Sequence, residues 1–401
     1  MIDSRPAILC ISTYEKGQAF LLEAARLGCD VSLLTVDTLR DADWPRESLS
    51  HFDTMPEEME PAKVLNTIAW LARTRRIDRI VALDEFDLEM AAMAREHMRL
   101  PGLGDTITRF FRDKLAMRTQ ARAHGLAVPE FTSVFNYEDV RAFMASVPGP
   151  WLLKPRTSAS AIGIRPIQSE AELWPILAEL GDLQTNYVLE RFVAGEVFHV
   201  EGVTWKQEVV FARAFRYGHP PMQTMHQGGV FTTRTLAPAG PDSVALLAEH
   251  KRLIAALGLP AGVTHTEYIK SSTDGRLYFL ETAARVGGAY IAEVLEYASG
   301  VNPWVEWARI EVALARGTQY TLPPLREDFA GSVISLARQE RPDLSAYDAP
   351  EIVRVLERSH HAGLLLRSSS EARLGALIDD YSIRFLRDFN AVLAPPDKPT
   401  S

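Results

Sequence analysis

Residues 263–288, VTHTEYIKSSTDGRLYFLETAARVGG, constrain this chain more than any other stretch. Two strand-like runs, 263–270 and 276–282, flank an Asp274-Gly275 turn signal. A hairpin centred on Asp274 sets Glu267 across from Glu281. It also pairs Ile269 with Phe279 on the same face, because side chains alternate with period two. Two carboxylates facing each other on an apolar floor repel. A chain tolerates them when a cation sits between them, when one keeps its proton, or when both are solvated on an ordinary surface hairpin. Oxygen donors from two carboxylates suit Mg²⁺, with Mn²⁺ as a substitute, and such an ion also takes phosphate oxygens and water.

The residues after Glu281 point to an anion site. Arg285 places a fixed positive charge four residues on, and Gly287 and Gly288 allow backbone N–H groups to approach an anion. In isolation these residues read as a strand end, a salt-bridging arginine and a loop. Lys154 ends an apolar strand and opens the small, polar stretch 157–163, which contains Ser158, Ser160 and Gly163. A lysine there can reach phosphates as a point charge, and the loop can fold over them. The plain alternative is a surface lysine beside a surface loop.

In chain order, the pieces are Arg112-Asp113-Lys114 before a helix, Lys154-Pro155-Arg156 opening the Ser/Gly loop, Glu190-Arg191-Phe192-Val193 followed by Glu196, then Glu267, and Glu281 through Gly288. Together they resemble an ATP-grasp enzyme of the carboxylate–amine ligase and biotin-carboxylase-like kind, over roughly residues 80–310. The resemblance implies an α/β protein with α+β lobes, an ATP-grasp fold behind a Rossmann-like domain that binds no nucleotide. The expected division is 1–104 for that first domain, 105–188 for the small lobe and its preceding helices, 189–318 for the large lobe, and 319–401 for a cap completing it.

The same resemblance implies roles. Lys114 and Lys154 meet the phosphates of ATP, and Ser158, Ser160 and Gly163 belong to the loop covering them. Backbone groups of Arg191 and Val193 read the adenine edge, Glu190 accepts from the adenine amino group, and Glu196 binds ribose hydroxyls. Glu267 and Glu281 hold one or two Mg²⁺ ions. A small-molecule carboxylate attacks the γ-phosphorus, giving an acyl phosphate and ADP, and an amine then displaces phosphate; amino acids are among the expected substrates. Arg285, with the N–H groups of Gly287 and Gly288, stabilises the acyl phosphate and the later oxyanion.

His199 either points toward phosphates or is a satisfied, partly buried imidazole, and Phe279 is either the adenine floor or core. His226, Arg213 and Arg216 are weaker candidates for an acceptor pocket, with surface roles weighing more. Many relatives carry an asparagine where this chain has Ala283, which bears on the second metal, although a subgroup of peptide-forming ligases also reads E-x-A-A-R. A bicarbonate-phosphorylating carboxylase is disfavoured because Val-Gly-Gly-Ala comes after Arg285 rather than Gln-Val-Glu-His. A nucleotide-binding regulatory module without turnover is the other alternative.

Ahead of these motifs, apolar runs at 7–11, 31–36 and 79–83 alternate with helical stretches, the pattern of a parallel α/β layer ending near 101–104. The glycine fingerprint of a dinucleotide site is absent after the first run, which reads Ser12-Thr13-Tyr14-Glu15-Lys16-Gly17. A helix is expected over 108–125, and another over 169–180 with a capping pattern at Ser169 and Glu172. The formal net charge of −9, with no long run of one sign, argues against a nucleic-acid partner. No apolar run approaches the ~18 residues of a membrane span. Two cysteines, Cys10 and Cys29, and no evident signal peptide make a reducing cytoplasm the expectation. Relatives of this kind are often dimers, and the sequence leaves a homodimer open.

Overall fold

Every residue of β1 (Ala7–Ser12) is buried, as an apolar run covered on both faces should be. Next in the chain are α1 (Gln18–Arg26), β2 (Asp30–Val36), β3 (His51–Met55), α2 (Pro61–Leu71), β4 (Arg79–Ala82) and α3 (Leu88–Met98). The four strands form a parallel sheet ordered β3-β2-β1-β4. The segment after β4 presents Asp84, Glu85 and Asp87, all buried. The structure, a computed structural model, describes residues 5–58, 60–159, 162–222, 224 and 229–391.

Beyond α3 come α4 (Asp105–Arg109) and α5 (Lys114–Ala123). The single helix expected over 108–125 is broken at residues 110–113, because Asp113 leaves the helical path to cap α5. Its side chain accepts from the N–H groups of Leu115 (2.9 Å) and Ala116 (3.4 Å). Lys114 thereby becomes the first residue of a helix.

The middle of the chain builds β5 (Phe131–Ser133), α6 (Tyr137–Ser146), β6 (Trp151–Pro155), β7 (Arg165–Ile167), α7 (Glu170–Leu180) and β8 (Tyr187–Arg191). Their strands form an antiparallel sheet ordered β5-β8-β6-β7. The capping box expected at α7 is displaced by one residue. Glu172 accepts from the N–H of Gln168 at 2.8 Å, while the Ser169 side chain makes no cap bond.

The rest of the chain gives β9 (Gly195–Trp205), β10 (Glu208–Tyr217), β11 (Val230–Thr235), α8 (Pro241–Leu257), β12 (Ala261–Ser271), β13 (Leu277–Ala283), α9 (Ile291–Ser299), α10 (Pro303–Arg316), β14 (Phe329–Leu336), β15 (Ile352–Val355), β16 (His361–Ser368) and α11 (Glu371–Asp388). All eight strands share one antiparallel sheet, ordered β13-β12-β9-β10-β11-β14-β16-β15. One face of β9, β12 and β13 packs Phe198, Val200, Tyr268 and Phe279 against Leu246, Leu253 and Ile254 of α8. The first unit joins this body through α10, where Trp307 meets Phe20 of α1 edge-on, ring centroids 5.5 Å apart.

Candidate functional site

Glu267 lies opposite Glu281 across β12 and β13, in the register the hairpin reading predicts. A bulge comes immediately after. Leu280 is skipped, so Tyr268 opposes Phe279 and Ile269 opposes Tyr278. The expected Ile269–Phe279 pair does not form, because the extra residue shifts the alternation. Phe279 is only 1% exposed and packs with Tyr268. Tyr268 neighbours Glu267 and points to the other face of the sheet. Phe279 is therefore core beneath α8, and the adenine-floor reading is overturned.

The face that carries Glu267 is polar and buried. The Tyr217 hydroxyl donates to Glu267 Oε1 at 2.9 Å, and His265 Nε2 lies 3.7 Å from the same oxygen. Glu201 Oε1 receives His265 Nδ1 at 2.6 Å and His199 Nδ1 at 2.7 Å. The outer nitrogen of His199 meets Thr233 Oγ1 at 2.7 Å. Burial alone would raise the Glu201 carboxyl, but the charge and hydrogen bonds of His265 and His199 hold it down at about 2. Burial works against the His265 cation, yet Glu201 and Glu267 bring it up to about 10. His199 moves the other way, lowered chiefly by burial despite Glu201. It is wholly buried and stacked on Phe215, centroids 4.5 Å apart, with both ring nitrogens hydrogen-bonded.

Glu201, His265 and Tyr217 escaped the sequence reading. A signal was present: His-x-Glu occurs twice, at 199–201 and 265–267. Period-two spacing puts each pair on one strand face, and β9 and β12 bring the faces together, with His199 opposite Glu267 and Glu201 opposite His265.

Beside this face, Lys114 Nζ lies 2.6 Å from Glu281 Oε2 and donates to the carbonyl of Ser158 at 2.6 Å. Lys154 Nζ lies 2.5 Å from Glu190 Oε1, and Arg118 reaches Glu190 Oε2 at 2.8 Å. Burial would raise the Glu190 carboxyl, but Arg118 and Lys154 hold it below the ordinary range. A carboxylate occupied by two cations differs from the free acceptor expected for an adenine amino group. Gly163 adopts φ +73°, a left-handed conformation that favours glycine. Ser160 and His226 fall outside the described residues.

At the end of β8, Arg191 pairs with Glu130 at 2.6 Å and Val193 is buried with Ile269 and Tyr278. Glu196 is matched to Arg216 at 2.5 Å on an open surface. Arg213 is buried and donates to the carbonyl of Asp328 at 3.1 Å.

Arg285 extends to the first unit. Its Nε donates to Glu85 Oε2 at 2.9 Å, and Arg112 meets the other oxygen at 3.3 Å. Burial would raise the Glu85 carboxyl, but Arg285 and Arg112 bring it down to about 2. A Cβ on Gly287 would sit 3.0 Å from His265 Nδ1 and 3.1 Å from Glu201 Oε2, so the loop passes closely over the buried pair. Around Gly288 a Cβ would meet open space. The site thus joins paired acids, two lysines, an arginine fixed by Glu85 and a close glycine loop.

No family model matches the chain. It is 23% identical over 254 residues to the L-arginine-specific L-amino acid ligase of Bacillus subtilis, covering 62% of this chain and 60% of that protein. It is 24% identical over 184 residues to the D-alanine–D-alanine ligase of Neisseria gonorrhoeae, covering 42% of this chain and 56% of the relative. The chain therefore aligns with little more than half the length of either curated relative. The crystal structure of an L-amino acid ligase from Bacillus licheniformis superposes with a TM-score of 0.77 at 20% identity, covering 97% of this chain and 99% of that one. Among the described residues no helix is long and apolar enough to cross a membrane.

Proposed function

We propose that this chain, which has the ATP-grasp fold, is an ADP-forming carboxylate–amine ligase for small molecules, with amino acids as the favoured class of acid and amine. The observation that carries the reading is Glu267 standing opposite Glu281 with Lys114 alongside. Two carboxylates on adjacent strands are hard oxygen donors and fit Mg²⁺ or Mn²⁺. Glu267 and Glu281 would hold that ion, which when bound neutralises phosphate charge. Ala283, opposite His265, adds no donor. The named ligases among the relatives support the reaction class.

Lys114, Lys154 and the segment containing Ser158, Ser160 and Gly163 would face the ATP phosphates. The backbone of Arg191 and Val193 would read adenine, and Glu196 the ribose. Glu190 we assign to holding Lys154 and Arg118 in place. The substrate carboxylate oxygen bonds to the γ-phosphorus as its bond to ADP breaks. The amine nitrogen then bonds to the acyl carbon, phosphate leaves, and a nitrogen-bound proton is released. Arg285 and the N–H groups of Gly287 and Gly288 would stabilise the oxygens that gain charge, so positioning and electrostatics carry the catalysis. Glu85 would keep the guanidinium aimed. Two buried free thiols, Cys10 and Cys29, fit a reducing cytoplasm.

The test is release of ADP from ATP in the presence of pooled amino acids and other carboxylic acids. We expect turnover that requires both an acid and an amine, and Glu281→Gln should lower it by roughly 100-fold or more, as loss of a transition-state contact does. ATP binding without turnover from any pool would point instead to a regulatory module, and dependence on bicarbonate to a carboxylase.

A further inference from the structure

Resting on the reading of this cleft as a nucleotide and divalent-cation site, we propose that Lys114 makes the two ligands interdependent: its pairing with Glu281 competes with both, and is exchanged for Lys114–phosphate and Glu281–cation contacts together. Lys114 Nζ makes two contacts, at 2.6 Å to Glu281 Oε2 and 2.6 Å to the Ser158 carbonyl in the segment after β6. The Lys114 side chain is 9% exposed and that of Glu281 31%, so the pair has a buried end and an open end. One bond thus withholds a cation from an incoming phosphate and a carboxylate from an incoming metal.

The second lysine behaves differently. Lys154 shares Glu190 with Arg118, so turning Lys154 toward a phosphate leaves that acid still neutralised. Among the described residues Lys114 is the cation paired with Glu281. If it turns away, Glu281 stands directly opposite Glu267 as a second anion. Like charges in that position destabilise a hairpin, and a divalent cation relieves the repulsion. Glu267 keeps its own hydrogen bond from Tyr217, so it does not depend on Lys114. Linkage between two ligands is reciprocal, and couplings of this kind span roughly 5- to 150-fold.

The reciprocity yields two expectations opposite to those of simple loss of a ligand contact. Lys114→Gln should tighten the binding of Mn²⁺ alone by about 10-fold, because Glu281 is released. Glu281→Gln should tighten binding of the β,γ-imido analogue of ATP in EDTA by a similar factor, because Lys114 is released. Glu267→Gln removes the same charge from the same face but leaves the Lys114–Glu281 pair intact, so it should tighten metal-free analogue binding less than Glu281→Gln does. Calorimetry on the full chain reads all three, with circular dichroism confirming each variant's fold. An unchanged or weakened Mn²⁺ affinity in Lys114→Gln overturns the exchange, as does equal tightening of the analogue by Glu267→Gln and Glu281→Gln. If wild type binds the analogue with Mn²⁺ but Lys114→Gln shifts nothing, the coupling alone fails. If wild type binds no nucleotide under either condition, the nucleotide reading fails with it.

Discussion

Glu85 sits in an environment that its local sequence does not suggest. It is a buried acid in the first unit, and two arginines from elsewhere in the chain hold its carboxyl near pKa 2, against an ordinary 4.5. The depressed value means the unfolded chain takes up the proton first. The stabilisation is complete above about pH 4.5 and fades as pH falls toward 2. The difference corresponds to about 3 kcal/mol at neutral pH. Glu85→Gln should therefore lower the urea midpoint markedly at pH 7, and the gap to wild type should narrow on acidification to pH 3. A gap of constant size across that range would remove the ion-pair account and leave only a packing defect.

At the scale of an element, α5 shows how a cap can set a site. Asp113 is 2% exposed, and it serves two groups at once: the N–H groups of the first turn and Arg156, whose Nε lies 3.0 Å away. Without the cap, Lys114 loses the helix start that aims it. Asp113→Ala should cost about 2–4 kcal/mol, combining a lost cap with an unpaired arginine. Asp113→Asn keeps an acceptor for the cap and should fall between wild type and alanine. Denaturant midpoints for the three proteins test the order, and coincident midpoints for the Asn and Ala variants would dismiss the cap. Elements governed by neighbours in sequence are legible from the sequence. The hairpin register comes from the Asp274-Gly275 turn, and α8 begins with Pro241 in its first turn and ends at a left-handed Gly258, both local signals. Distant partners are not legible. β11 is held on one side by β10 and on the other by β14, about a hundred positions later in the chain. The bulge at Leu280 leaves no local trace and reverses the expected face of Phe279. Glu85 is invisible as a site residue because Arg112 and Arg285 stand 27 and 200 positions away.

Over the whole molecule, α10 is the wedge that makes the first unit part of the site. Its Trp307 meets Phe20 on one side and shares a cluster with Trp205 and Val263 of the large sheet. Two ion pairs cross the same boundary, Arg79 to Glu311 at 2.6 Å and Arg309 to Glu23 at 2.8 Å. The Arg285–Glu85 contact crosses it as well, so the geometry of the glycine loop depends on how firmly the first unit is docked. For Arg79–Glu311 and Arg309–Glu23 the cost of burying charge offsets much of the attraction, which leaves the aromatic contact as a main adhesive term. Trp307→Ala should cost about 3–5 kcal/mol. The loss falls on a boundary between two cores, so thermal unfolding should split, with the first unit releasing before the large sheet. Exchange of the β1 amides should accelerate ahead of those in β9. Leu314→Ala, on the same helix but 38% exposed, should leave a single transition close to wild type. If Trp307→Ala instead melts in one step and protects β1 and β9 equally, the first unit owes its position to the polar bridges, and Glu85 would hold Arg285 without help from the aromatic wedge.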